Sequence, residues 1–262
     1  VAYTASETYG SDNAYDANWV GYWPLHDAND RTSNSNDGTA EGSVSVGGAA
    51  GHIGDATDFD DSDDGVNVGQ PLQTPSNGFT AMIWAYPDDL SDDQRAFGQF
   101  TGTGSTTSWL LWMDAGGAAD GWAFATCDGE STATFSIHGT DDATATASTW
   151  QHVSVSINAS GDFDLRVNGV STESGTVSVL AADSRTSDVV IGKLDGGSGV
   201  NSCFDGKLQH VQLHSTNRAS AWVDHEYDQT NDNAAFYGTW SWNGASATFK
   251  PAWASHATQV AL

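Results

Sequence analysis

Apolar and polar residues alternate with period two along much of this chain, which predicts strands with one buried face. The clearest case runs from Trp150 to Gly169. Val153, Val155 and Ile157 alternate with His152, Ser154 and Ser156; Ser160 and Gly161 supply a turn; Phe163, Leu165 and Val167 then alternate again. The segment is a β-hairpin. Further strands are expected at Tyr22–Leu25, Ala56–Phe59, Val66–Val68, Phe79–Tyr86, Ala96–Phe100 and Trp109–Met113. Others are expected at Trp122–Cys127, Thr132–Ile137, Val189–Leu194 and Lys207–His214. Asp37-Gly38, Asp64-Gly65, Gly116-Gly117, Asp128-Gly129, Asn168-Gly169 and Asp195-Gly196 punctuate them as turns. Many short strands at regular spacing predict an all-β sandwich. One helical pattern follows, Ser220–Gln229, with Trp222, Val223 and Tyr227 on one face and Asn217 or Ser220 as the N-cap. The expected organisation is a lead-in over 1–18, a sandwich over 19–235 and a tail over 236–262. Trp240, Trp242 and Trp253 imply that the tail packs on the sandwich or on a neighbouring domain or subunit.

The 262 residues are enough to bury a sizeable core, and eleven Trp and ten Phe can fill it. Net charge is −26, with only eight Lys and Arg. Nucleic acid is excluded as a partner, since phosphates need cations. The chain has no apolar run long enough for a membrane span. It begins without Met or a signal pattern, so it is expected to be processed or cut from something larger. Of the 34 acids only five are Glu, and Asp favours turns and caps. The acidic surface fits a saline setting, where net charge aids solubility; it also fits calcium held by loop carboxylates. Cys127 and Cys203 can bridge or stay free.

Five blocks, in order, resemble laminin-G-like modules of the concanavalin A-like sandwich type found in large secreted bacterial, archaeal and viral surface proteins. They are VGYWPLHDANDRTSNSNDGTA from Val20, GHIGDATDFDDSDDGVNV from Gly51, FTAMIWAYP from Phe79, the Trp150–Gly169 hairpin, and FDGKLQHVQLHSTNRASAWVDHEYDQTNDNAAF from Phe204. The resemblance implies a two-sheet antiparallel jelly-roll sandwich with one short C-terminal helix. It implies a recognition module in an extracellular, cell-surface or virion-surface protein, with a glycan or cell-surface polysaccharide as partner. It also places Trp84 and Trp150 in the core, with His152 as a packed structural residue. Where the family's last strand reads Gly-x-Ile-Asp-Glu-Val, Gln209 and His210 replace the two carboxylates, which removes an Asp that in related sandwiches helps hold calcium.

The Glu-x-Asp-x-x-Glu strand of glucanases of this shape is missing, and Glu130 sits at a turn. No Gly-x-Ser-x-Gly elbow is present either. The chain is therefore expected to bind rather than to catalyse; an adhesion module without a sugar ligand is the alternative. Asp27, Asp30, Asn34, Asn36 and Asp37 crowd one loop, and Asp58, Asp60, Asp61, Asp63 and Asp64 another. Calcium needs such hard oxygens, and Asp27, Asp30, Asn34 and Asp37 are the favoured ligands. His210 and His214 stand about 13 Å apart on a strand, too far for one zinc ion. Sugar binding needs an aromatic face and orienting polar groups. Trp109 and Trp112 lie on opposite faces of one strand; Trp112, Asp114 and Trp122 are the candidate ligand-binding residues, against the alternative that all three tryptophans are core.

Overall fold

The computed structural model describes residues 15–72, 78–100, 108–115, 119–127, 135–140, 142–178, 187–196 and 203–231, with a short strand pair at 241–242 and 247–248. The Gly116-Gly117 and Asp128-Gly129 turns, Glu130, Trp240 and Trp253 lie outside these residues. The chain divides into two compact units, Val1–Ala219 and Ser220–Leu262.

Fifteen strands belong to the first unit: β1 Trp19–Trp23, β2 Thr39–Glu41, β3 Ala49–Ala50, β4 Asp55–Asp60, β5 Gly65–Asn67, β6 Gly78–Pro87, β7 Gln94–Gln99, β8 Trp109–Asp114, β9 Gly121–Cys127, β10 Phe135–His138, β11 Gln151–Asn158, β12 Asp162–Val167, β13 Val170–Thr176, β14 Val190–Ile191 and β15 Asp205–His214. They form two antiparallel sheets of a jelly-roll sandwich. One runs β13-β12-β11-β6-β15-β4-β3, with β1 also on β15; the other runs β10-β9-β8-β7-β14-β5-β2. In the second unit, α1 spans Ser220–Asn231, and β16 Ser241–Trp242 pairs with β17 Ala247–Thr248. Val223 is buried, whereas Trp222 and Tyr227 are only half-buried. No described helix is long and apolar enough to cross a membrane.

Period two dictates which side chains meet between the sheets. Phe79, Ala81, Ile83 and Ala85 of β6, Val153, Val155 and Ile157 of β11, and Phe163, Leu165 and Val167 of β12 face Trp109, Leu111 and Met113 of β8 and Trp122 and Phe124 of β9. Phe97 meets Trp109 edge-on at 5.0 Å. Each Val, Leu, Ile, Phe or Met among them contributes roughly 1.5–3 kcal/mol on burial. The opening hairpin forms as its pattern requires. Asn158 Oδ1 accepts the Ser160 and Asp162 amides, and Gly161 takes the left-handed backbone that closes the turn.

Trp84 and His152 are buried as expected, though not between the two sheets, whereas Trp150 is corrected from a core residue to a half-buried one. Trp84 pairs with His152 across β6 and β11, and both lie on the outer face of that sheet, where His52 stacks on Trp84 at 4.1 Å. Trp150, half-buried, packs beside Tyr86. The strand expected at Val189–Leu194 shrinks to two residues, because Gly192 turns the chain and a Cβ there would strike the Phe59 ring. Cys127 and Cys203 are buried and unbridged.

Candidate functional site

Strand β15 builds one end of the sandwich by changing partner. Its first half pairs with β4 and its second half with β1; between them His210 adopts a positive φ. A bulge on β1 between Trp19 and Gly21 interrupts its ladder, and bulges free main-chain groups for other partners. The amides of Asn34 and Asn36 supply them. Asn34 Nδ2 donates to the carbonyls of Trp19 and Val20 at 2.7 and 3.2 Å, and Asn36 Nδ2 to Val20 O at 2.7 Å. Because carbonyls only accept, each amide's NH2 group is fixed toward β1 and its oxygen stays available as an acceptor.

Asp30 holds this loop in shape. Its Oδ1 accepts the Tyr22 and Thr32 amides at 3.0 and 2.8 Å, and its Oδ2 accepts the Thr32 hydroxyl and the Asn36 amide at 2.8 and 3.0 Å. Asp37 Oδ1 accepts the Asp30 amide. Asp27 accepts the Asn29 amide and pairs with Arg31 at 2.6 Å. Asp27, Asp30, Asn34 and Asp37, the expected calcium ligands, thus build the loop by these hydrogen bonds. Four donors occupy the Asp30 carboxylate, and Asp27, Asp30 and Asp37 do not bring their oxygens together. Among the described residues, only Asp60, Asp63 and Asp64 have carboxylate oxygens that converge within 4.8 Å.

The loop walls a pocket of about 420 Å³, within the size range of small-ligand sites. Ala17, Val20, Pro71 and Leu72 form its apolar side; Trp19, Asn34, Asn36 and Ser215 supply an aromatic ring, amides and a hydroxyl. Trp19 is half-buried, 4.3 Å from the His214 ring and 4.9 Å from Tyr15. None of the described lining residues is titratable. Burial, with a smaller push from Arg218, holds the neighbouring His214 down to about 3, so it is neutral at pH 7.

The expected ligand residues separate. Trp122 lies opposite Met113, a core-facing position, and is fully buried with its Nε1 donating to Gln151 Oε1 at 3.1 Å. It is a core residue and not a ligand contact. Trp112 and Asp114 do come together on the outer face of the second sheet. Trp112 Nε1 lies 3.4 Å from Asp114 Oδ1, and Arg95, on the neighbouring strand, stands 5.6 Å over the indole. The Trp112 ring is only 6% exposed, too little to receive a sugar face, and Arg95 is tied to Asp93 at 3.1 Å.

Every described cation is matched in this way. Besides Arg31 and Arg95, Arg166 pairs with Asp164 at 2.7 Å and Lys193 with Glu41 at 3.1 Å. Lys207 lies between Asp88 and Asp58, and Arg218 grips both oxygens of Asp16 at 2.8 Å. The Arg218 contact lowers the Asp16 pKa to about 2. At the opposite extreme, Asp61 is raised to about 6 by burial and by Asp205, Asp92, Asp89 and Asp60.

The sequence signal for the pocket was weak. Trp19 stands three residues before the predicted strand Tyr22–Leu25, and Asn34 and Asn36 read as part of an acidic loop; the β1 bulge joins them.

Residues 60–224 match the family model described as the concanavalin A-like lectin/glucanases superfamily. No curated protein sequence matches the chain. Among solved structures, domain 4 of the extracellular arabinanase AbnA from Geobacillus stearothermophilus, in complex with arabinotriose, is similar over 80% of this chain and 98% of that one, at 17% identity and a TM-score of 0.62. The receptor-binding domain of a botulinum neurotoxin C/D mosaic is similar over 80% of this chain at 15% identity and a TM-score of 0.59. The binding domain of botulinum neurotoxin DC in complex with SialylT is similar over 82% of this chain at 10% identity and a TM-score of 0.59. The chain spans about half the length of these two toxin domains, 51% and 52%.

Proposed function

Because this chain belongs to the concanavalin A-like lectin/glucanase superfamily, we propose that it is a non-catalytic carbohydrate-recognition module whose sugar site is the Trp19 pocket. The observation that carries the reading is the lining: a half-buried indole beside two amides whose oxygens stay available and a serine hydroxyl. Sugars are bound by stacking of their C–H faces on aromatic rings and by hydrogen bonds that orient hydroxyls. The similar arabinanase domain, held in complex with arabinotriose, supports the ligand class. The same lining supports a non-catalytic role: glycoside hydrolysis in most families requires two carboxyl groups flanking the bond, and none lines the pocket among the described residues. An extracellular or virion-surface setting belongs to the proposal, supported by the Asp-rich, strongly acidic composition.

A glycan array followed by calorimetry tests this. Wild-type protein binds at least one glycan. Trp19→Ala weakens binding by about tenfold or more, the loss of about 1.4 kcal/mol or more. Ala17→Phe, a change at an exposed lining position, occludes the pocket with the same result while circular dichroism stays native. Unchanged binding by both folded variants refutes the assignment, and release of sugar from a bound polysaccharide refutes the non-catalytic role.

A further inference from the structure

We infer that the glycan taken by the Trp19 pocket is electrically neutral, a sugar polymer without carboxylate, sulfate or phosphate groups; the inference rests on the carbohydrate reading of that pocket. No charged residue lines the pocket among the described residues, although the chain carries 34 acids and eight Lys and Arg. An anionic sugar entering it leaves water without meeting a cation, and burying an unpaired carboxylate costs several kcal/mol, on the order of the whole affinity of a typical weak sugar complex. The described cations closest along the chain to the lining are Arg31, three residues before Asn34, and Arg218, three beyond Ser215; Asp27 holds the first at 2.6 Å, and both oxygens of Asp16 hold the second. The other four described cations are paired in the same way, so among the described residues none is left to move across for an anionic ligand. The net charge of −26 adds a repulsive field that any anionic polymer must cross. Neutral hydroxyls suit the site: they donate to the Asn34 and Asn36 oxygens and to Ser215 Oγ, whose own proton goes to the Asn18 carbonyl at 3.4 Å.

The test is an array of matched pairs, each a neutral oligosaccharide beside its sialylated, sulfated or uronic counterpart, read with calcium and again with EDTA. Selected pairs are then titrated at about 0.05 M and about 1 M NaCl, which span strong and weak screening. The expected result is binding to neutral members, with affinity changing less than about threefold across the salt range, and at least about tenfold weaker binding of each anionic counterpart at low salt. An anionic member bound as well as or better than its neutral partner, in either buffer, overturns this inference and leaves the carbohydrate reading standing. Binding to no glycan of either kind overturns that reading, and this inference with it.

Discussion

Asp30 shows how one side chain can hold a whole loop together. It sits in a loop whose composition fits calcium, yet its two oxygens accept four hydrogen bonds from the loop itself and from β1. Replacing it by Ala leaves four donors without their acceptor, three of them backbone amides. The expected cost is about 2–4 kcal/mol, with loss of sugar binding because Asn36 is no longer held. EDTA leaves the melting temperature of the wild-type protein unchanged if the loop is built by these bonds alone. Thermal melts of wild type and Asp30→Ala, each with and without EDTA, check both statements; a chelator effect as large as that of the substitution contradicts the hydrogen-bond account. The sequence made the loop visible but not its use, since Asp and Asn serve cation binding and turn closure with the same oxygens. Trp122 was misplaced for a related reason. Its own strand alternates correctly, but which face points inward depends on pairing with Met113, and register is not written in a single strand.

At the scale of elements, the outer face of the larger sheet carries an unusual load of buried histidine. His152 and His214 on β11 and β15, and His210 at the break between the two pairings of β15, are held down to about 3, 3 and 4 respectively, in each case chiefly by burial. In the unfolded chain they titrate near 6.5. Between that value and about 3–4 the unfolded state binds more protons than the native state, so stability falls as pH is lowered through this window, by on the order of 1.4 kcal/mol per pH unit for each histidine. Asp61, raised to about 6, works in the opposite sense between its ordinary value and about 6, as one group against three. Urea midpoints at about pH 7 and about pH 4.5 are expected to show a marked drop on acidification, and His152→Gln is expected to reduce that drop. A midpoint that holds or rises on acidification contradicts the account. Most strands were legible from alternation because one face is buried. β13, reading Val-Ser-Thr-Glu-Ser-Gly-Thr, was not: it is an edge strand with no buried residue, so nothing in it alternates. Its position is set by the Asn168-Gly169 turn, both residues at positive φ, which folds it back onto β12.

At the scale of the whole molecule, a strongly acidic surface surrounds a pocket that is itself uncharged. The charge count was legible from composition, but the neutrality of the pocket was not, because its walls come from four separated stretches of chain: Ala17–Val20, Asn34–Asn36, Pro71–Leu72 and Ser215. Only the bulge on β1 and the partner change along β15 bring them together. This arrangement makes the central claim specific: a neutral sugar is held at that end of the sandwich, and not on the outer face of the second sheet beside Trp112. The most direct measurement is a crystal structure of the protein with a neutral oligosaccharide that it binds in solution. The account predicts a sugar ring against the Trp19 indole, with hydroxyls on the Asn34 and Asn36 oxygens. A ligand seated at Trp112 and Arg95, or anywhere else with the Trp19 pocket empty, contradicts it.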